Sequence, residues 1–230
     1  ILHTRECRRD FNSRANFNNN TKAHISLSLS RSLFMGQSQS SKFDKLFTLI
    51  CTDNAEELTR QLRSCSSPEQ TNLSNLSDTD KSATLLMYAA FYGNMAICRL
   101  LLDSGAQLFS RDNEGRNVLF YAIAGQAYTV VKYLLETVLN EYELDTRKNF
   151  INNSDKTGET CLHEAVKVHA VSCIELLLKH EIDVNIMNKD GVTALHRAVD
   201  LGKKMRNRFR NVFLFCFLRS SRYCSFTTQI

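Results

Sequence analysis

Proline is almost missing from this 230-residue chain, with Pro68 the one example, and tryptophan does not occur. Helices elsewhere in the chain must therefore begin without the N1 proline that often starts one. Long apolar runs are missing too. The strongest, Val212-Phe213-Leu214-Phe215-Cys216-Phe217-Leu218, is far short of the roughly 20 residues that span a bilayer. Eight cysteines are present, yet none form Cys-x-x-Cys pairs. That spacing argues against a disulfide framework or zinc ribbon and for a reducing compartment. Sequons begin at Asn19, Asn72, Asn75 and Asn152. With no signal-peptide pattern in view they are not expected to carry glycans.

A basic stripe for nucleic acid is also lacking where it would matter. The chain is formally +5, from 29 basic and 24 acidic residues. Residues 1–45 hold eight basic and three acidic side chains, and 203–230 hold seven and none. Residues 46–202 keep the remaining fourteen basic and 21 acidic residues, a net of −7. A phosphate-binding surface is therefore not expected, and no nucleic-acid partner.

What is present is a phrase that returns four times: Thr84-Leu85-Leu86-Met87-Tyr88-Ala89-Ala90, Asn117-Val118-Leu119-Phe120-Tyr121-Ala122-Ile123, Thr160-Cys161-Leu162-His163-Glu164-Ala165-Val166 and Thr193-Ala194-Leu195-His196-Arg197-Ala198-Val199. Ala89, Ala122, Ala165 and Ala198 stand 33, 43 and 33 residues apart, a period that marks a stacked array. Gly115, Gly158 and Gly191 each precede the Thr/Asn position by two residues, where a tight hairpin tip needs positive φ. A second apolar pattern follows each phrase: Ile97, Leu100, Leu101 and Leu102, then Val130, Val131, Leu134 and Leu135, then Ile174, Leu176, Leu177 and Leu178. Its i, i+3, i+4 spacing is that of an amphipathic helix. Each unit thus reads as turn, short helix, longer helix and loop.

On these residues the chain resembles the ankyrin repeat family, whose phrase Asp-x-x-Gly-x-Thr-Pro-Leu-His-x-Ala-Ala is closest to Asp190 through Ala198. The resemblance covers about residues 43–202 and implies an all-α solenoid of helix-turn-helix units joined by β-hairpin loops, with disordered tails at both ends. Leu85, Val118, Cys161 and Ala194 replace the family's Pro. His163 and His196 fill the family's His position, and Met87 and Phe120 replace it. In the family that Thr and His bond to each other and to backbone across the turn, so the first two turns should be less rigid, by about 1 kcal/mol per lost bond.

The expected layout is a disordered segment over 1–42, an array over 43–202 and a basic non-repeat tail over 203–230. Within the array come a cap at 43–64, repeats near 80–110, 111–151 and 154–186, and an incomplete unit at 187–202. The stretch from Ser64 to Asp80, rich in Ser, Asn and Asp, reads as a loop. Extra residues between Leu135 and Asn152, including Tyr142, Glu143 and Asp145, should lengthen a second helix or form a surface excursion with a binding role. The tail breaks the register and reads as foreign sequence; its rival reading is a membrane-surface segment. If Met35 is the start, Met35-Gly36-Gln37-Ser38-Gln39-Ser40 fits N-myristoylation of Gly36, a weak membrane anchor.

No catalytic residue, metal or cofactor is expected. Cys161, His163, His169 and Cys173 read as packing positions rather than zinc ligands, and Cys161 beside His163 is a poor nucleophile and base pair. In the family, partners dock in a groove of hairpin tips and first helices. Carried over by position, this points to Asn113, Glu114, Arg116, Lys156, Glu159, Lys189 and Asp190 at the tips, with Phe91, Tyr92 and Lys167 on or beside the first helices. Phe91 and Tyr92 are the favoured anchor pair, with packing over the 64–80 loop as the plain alternative. The expectation is a non-enzymatic, cytoplasmic scaffold or adaptor for a protein partner. The alternative is the substrate-recognition fragment of a larger ankyrin-containing ubiquitin ligase.

Overall fold

The computed structural model describes residues 39–180 and 182–204. The segment before residue 39, with Gly36, and the tail from 205 onward lie outside the described residues, and the lipid, disorder and tail readings lie there with them. Among the described residues the secondary structure is helix plus three isolated antiparallel bridges, Ser77 to Thr84, Ser154 to Thr160 and Met187 to Thr193. Each bridge closes the hairpin in front of a first helix. The fold class is the all-α repeat architecture that the phrase implies. Contacts divide the chain into two bodies, Ile1–Val130 and Val131–Ile230.

The first body contains α1 (Gln39–Cys51), α2 (Ala55–Arg63), α3 (Ser67–Ser74), α4 (Leu85–Tyr92), α5 (Met95–Asp103) and α6 (Val118–Ala124). Its centre is α4, buried on all sides from Leu85 to Phe91, as an apolar helix without a polar face must be. Thr84 starts α4 by accepting the Met87 amide, and Asn117 starts α6 by accepting those of Leu119 and Phe120. α4 lies against α1, α5 and α6. The α1 side of that packing is aromatic: Phe47 meets Tyr88 edge to face at 4.9 Å, and Tyr88 meets Tyr121 at 6.0 Å. At Gly125, which ends α6, a β-carbon would lie 1.8 Å from the Phe91 carbonyl oxygen, so only glycine lets the two helix ends approach this closely.

The stretch expected to be a loop contains a helix instead. Ser66 and Glu69 form a capping box around the start of α3, with Pro68 in its first turn, which offsets the weak propensities of Ser and Asn. At the end of α3, the Ser74 hydroxyl donates to the Ser104 carbonyl at 3.1 Å and the Asn75 side-chain amide to that of Gly105 at 2.9 Å, tying the helix to the loop after α5.

α7 (Tyr128–Glu141) begins in the first body and continues into the second, which also holds α8 (Leu144–Ile151), α9 (Cys161–Lys167), α10 (Val171–Lys179) and α11 (Ala194–Lys204). The extra residues after Leu135 lengthen a second helix, the first of the two readings expected of them. α7 is lengthened to 14 residues, and α8 is an added helix that buries Phe150 and Ile151. α9 packs against α10 and α11, and Ile174 and Leu177 are fully buried.

Candidate partner-binding surface

The hairpin tips of the four described repeats share one device, which spans one residue more in the first. An acidic or amide side chain at the start of the turn folds back and accepts two backbone amides beyond it. Asp78 Oδ1 takes those of Lys81 and Ala83, at 2.7 and 3.3 Å. Asp112 Oδ1 takes Glu114 and Arg116, at 2.9 and 2.8 Å. Asp155 Oδ1 takes Thr157 and Glu159, at 2.8 and 2.9 Å, and Asn188 Oδ1 takes Asp190 and Val192, at 3.0 and 2.9 Å. Such Asx turns fix the backbone without help from distant residues. Neighbouring tips within each body are also joined: the Asn113 amide donates to the Lys81 carbonyl at 2.7 Å, and the Lys189 amide to that of Thr157 at 2.9 Å.

The two bodies brace their turns differently. In the second, His163 Nδ1 faces the Thr160 hydroxyl at 2.9 Å and its amide at 3.2 Å, and Nε2 lies 3.0 Å from the Val192 carbonyl. An Nε2–H tautomer satisfies all three groups. Burial holds the His163 pKa below the ordinary histidine range. In the first body, where Met87 and Phe120 replace histidine, the Tyr88 hydroxyl donates to Asp78 Oδ2 and the Tyr121 hydroxyl to Asp112 Oδ2, the latter at 2.9 Å. Arg116 closes on the same Asp112 oxygen at 2.7 Å and stacks over the Tyr121 ring, 5.6 Å from its centre. These turns are therefore clamped by other side chains rather than loosened. Tyr88 and Tyr121 stand one residue past the family's His position, where the phrase gives no sign of a bond to the turn.

Five of the expected contact residues are exposed on these tips: Asn113 and Glu114 in the first body, Lys156, Lys189 and Asp190 in the second. Asn113 also uses its side-chain amide to hold the Asp80 carbonyl, at 3.0 Å. Three others are already engaged. Arg116 is turned inward onto Asp112, Glu159 pairs with Arg197, and Lys167 pairs with Glu164 at 2.9 Å. The anchor pair needs correction: Phe91 is only 2% exposed, packed edge to face on Tyr92 at 5.5 Å, so Tyr92 alone is half-exposed. The cause is that α4 is buried all round, and Phe91 is part of that core.

Buried thiols offer no nucleophile. Burial pushes Cys98 and Cys161 up to about 12 and Cys173 to about 11, so all three stay protonated. Cys161 donates to the Ile151 carbonyl at 3.0 Å while His163 is engaged elsewhere, so the two do not act as a pair. Among the described residues no group of three or more His, Cys, Asp or Glu is placed to hold a metal ion, and no helix is long and apolar enough to cross a membrane. One feature was missed from the sequence. A pocket of about 210 Å³ opens beside the last hairpin, with Met187 60% exposed at its edge.

A family profile described as ankyrin repeats (3 copies) matches residues 47–147 and 138–207. Among curated proteins, an ankyrin repeat protein of Acanthamoeba polyphaga mimivirus is 26% identical over 162 residues, which is 70% of this chain and 20% of that protein. One from Fowlpox virus is 28% identical over 128 residues, 56% of this chain and 82% of the relative. The Neurogenic locus notch homolog protein 2 of Homo sapiens is 31% identical over 121 residues, 52% of this chain but 4% of its own length. The chain thus spans a fifth or less of two of these three relatives.

Proposed function

The chain belongs to the ankyrin repeat family, a protein–protein interaction module, and from that premise we propose that it is a non-enzymatic scaffold or adaptor whose hairpin tips bind a partner protein. The observation that carries this reading is the repeated Asx turn. In each of the four tips a buried or half-buried side chain fixes the backbone, while residues such as Lys156, Lys189 and Asp190 project into solvent. A backbone fixed before docking loses little conformational entropy on binding, so exposed side chains there are effective contact groups. Because each turn closes within five residues, tip side chains can vary without disturbing the helices.

A reducing, cytoplasmic setting fits the same reading. Cys65, Cys98, Cys161 and Cys173 are free thiols.

The test is retention of partner protein from an extract of the native source by the immobilised full chain and by its Lys156→Ala/Lys189→Ala/Asp190→Ala variant. The variant should retain at least tenfold less of a protein held by the wild type, with an unchanged denaturation midpoint. Equal retention by both would remove the tips of the second body from the binding surface.

A further inference from the structure

The tyrosine that clamps its turn in the first body has an acidic counterpart in the second. Tyr88, Tyr121 and Glu164 each stand four residues beyond the Thr or Asn that starts the first helix of the repeat. The Tyr121 hydroxyl answers Asp112 Oδ2 at 2.9 Å, and Tyr88 does the same for Asp78. Asp155 begins the same kind of turn in the third repeat, with Oδ1 taken by the Thr157 and Glu159 amides. A carboxylate in the tyrosine's place has no proton to give Asp155 Oδ2. Glu164 is itself only 6% exposed. Its Oε2 accepts from Lys167 Nζ at 2.9 Å, whereas Oε1 is buried and has no hydrogen-bond partner among the described residues. Arg197 holds the same place in the last described repeat, and its helix α11 packs on α9, but its guanidinium is engaged with Glu159. A buried carboxylate oxygen left unanswered is costly. Its retention where two other repeats hold a satisfied tyrosine points to use rather than packing.

We propose that Glu164 is a contact residue for the partner protein, which presents an arginine whose guanidinium takes both carboxylate oxygens as Lys167 swings away. The proposal rests on the adaptor reading above and adds to the tips a contact of stated chemistry. Lys167 holds one oxygen through a point charge, and its side chain is 31% exposed, so it has solvent to move into. A planar fork of N–H donors matches two carboxylate oxygens at once, as an ammonium does not. Charge favours the same partner, because residues 46–202 carry a net of −7 and a basic protein is drawn to them.

The test is carbon-13 NMR of the full chain labelled at its glutamate carboxyls, titrated with N-acetyl-arginine amide and, separately, with N-acetyl-citrulline amide, the uncharged isostere. The Glu164 resonance is the one lost in Glu164→Gln. Under the proposal it moves saturably with the arginine compound, with half-saturation at about 10 mM, and about tenfold less with the citrulline compound. A resonance that stays in place, moves without saturating, answers both compounds equally or follows that of the exposed Glu175 overturns the proposal. A buried water on Oε1 or general charge screening would then be the whole account. Stability supplies a second arm, since a residue kept for binding is replaced with a gain: at least one of Glu164→Tyr and Glu164→Gln should raise the urea midpoint, by about 0.5 M. If neither raises it, the carboxylate serves the fold and the proposal fails. Neither arm involves the hairpin tips or the partner itself, so the adaptor reading is judged separately by the retention assay.

Discussion

Three glycines separate the two reasons a chain can need glycine, and alanine at each gives an ordered series. At Gly191 φ is +71° and a β-carbon would meet nothing within 4 Å, so Gly191→Ala bears only the left-handed backbone penalty of about 1 kcal/mol. At Gly158 φ is +81° and the β-carbon would sit 3.0 Å from the Asn188 Cα and the Lys189 nitrogen. Backbone cannot swing aside as a side-chain tip can, so Gly158→Ala adds crowding to the same penalty and should cost about 2 kcal/mol. Gly125 has an ordinary φ of −78°, yet its β-carbon would be 1.8 Å from the Phe91 oxygen. An unstrained carbon–oxygen contact is about 3.3 Å, so the ends of α4 and α6 must part by roughly 1.5 Å. Both helices are buried along nearly their whole length, and Gly125→Ala should therefore cost about 3 kcal/mol, the upper end for overpacking. Urea denaturation followed by far-ultraviolet circular dichroism gives the three midpoints. Gly125→Ala milder than Gly191→Ala would refute the close approach of α6 to the Phe91 carbonyl.

Three further outcomes are expected. The folded pKa of His163 is depressed by burial, so the unfolded chain binds the proton more readily; stability should be complete above pH 6.5 and fall as pH drops below it, by at most about 1.4 kcal/mol per pH unit. A denaturation series from pH 7.5 to 5.0 in which His163→Gln keeps the full slope would contradict this. Leu177→Ala empties a fully buried site in α10 and should cost about 2 to 5 kcal/mol, so a midpoint close to wild type would count against the packing of α9 on α10. Tyr121→Phe removes one bond from Asp112, which keeps Arg116, and should cost about 1 kcal/mol. Asp112→Ala also strips the Glu114 and Arg116 amides and should cost about 3 kcal/mol; equal midpoints for these two variants would show that Asp112 does not hold its turn.

The architecture was legible because it is written four times. A single Thr-x-Leu-x-x-Ala phrase is weak, but recurrence at 33 residues with glycine two positions ahead can be satisfied by few structures. The short helix α3 was not legible as such, since Ser and Asn suggested a loop. Its stabilising feature is a three-residue relation between Ser66 and Glu69 that composition does not reveal. Within the candidate surface, sequence position placed Lys156, Lys189 and Asp190 outward correctly, because tip residues follow from the register. It could not say that Arg116, Glu159 and Lys167 are spent on Asp112, Arg197 and Glu164, since these pairings depend on side-chain paths. Phe91 was misjudged because helical spacing alone does not show that α4 has neighbours on every side.

The two ways of bracing a turn make fraying directional. Tyr88 and Tyr121 each bond an aspartate of their own repeat, so the side-chain clamp closes at home. His163 instead donates forward to Val192. Should the last hairpin melt, His163 is left with an unanswered N–H in a buried place, a cost of about 1 to 3 kcal/mol that falls on its predecessor. Loss of order at the last described hairpin is thus handed inward by one repeat, as when one falling domino tips the next.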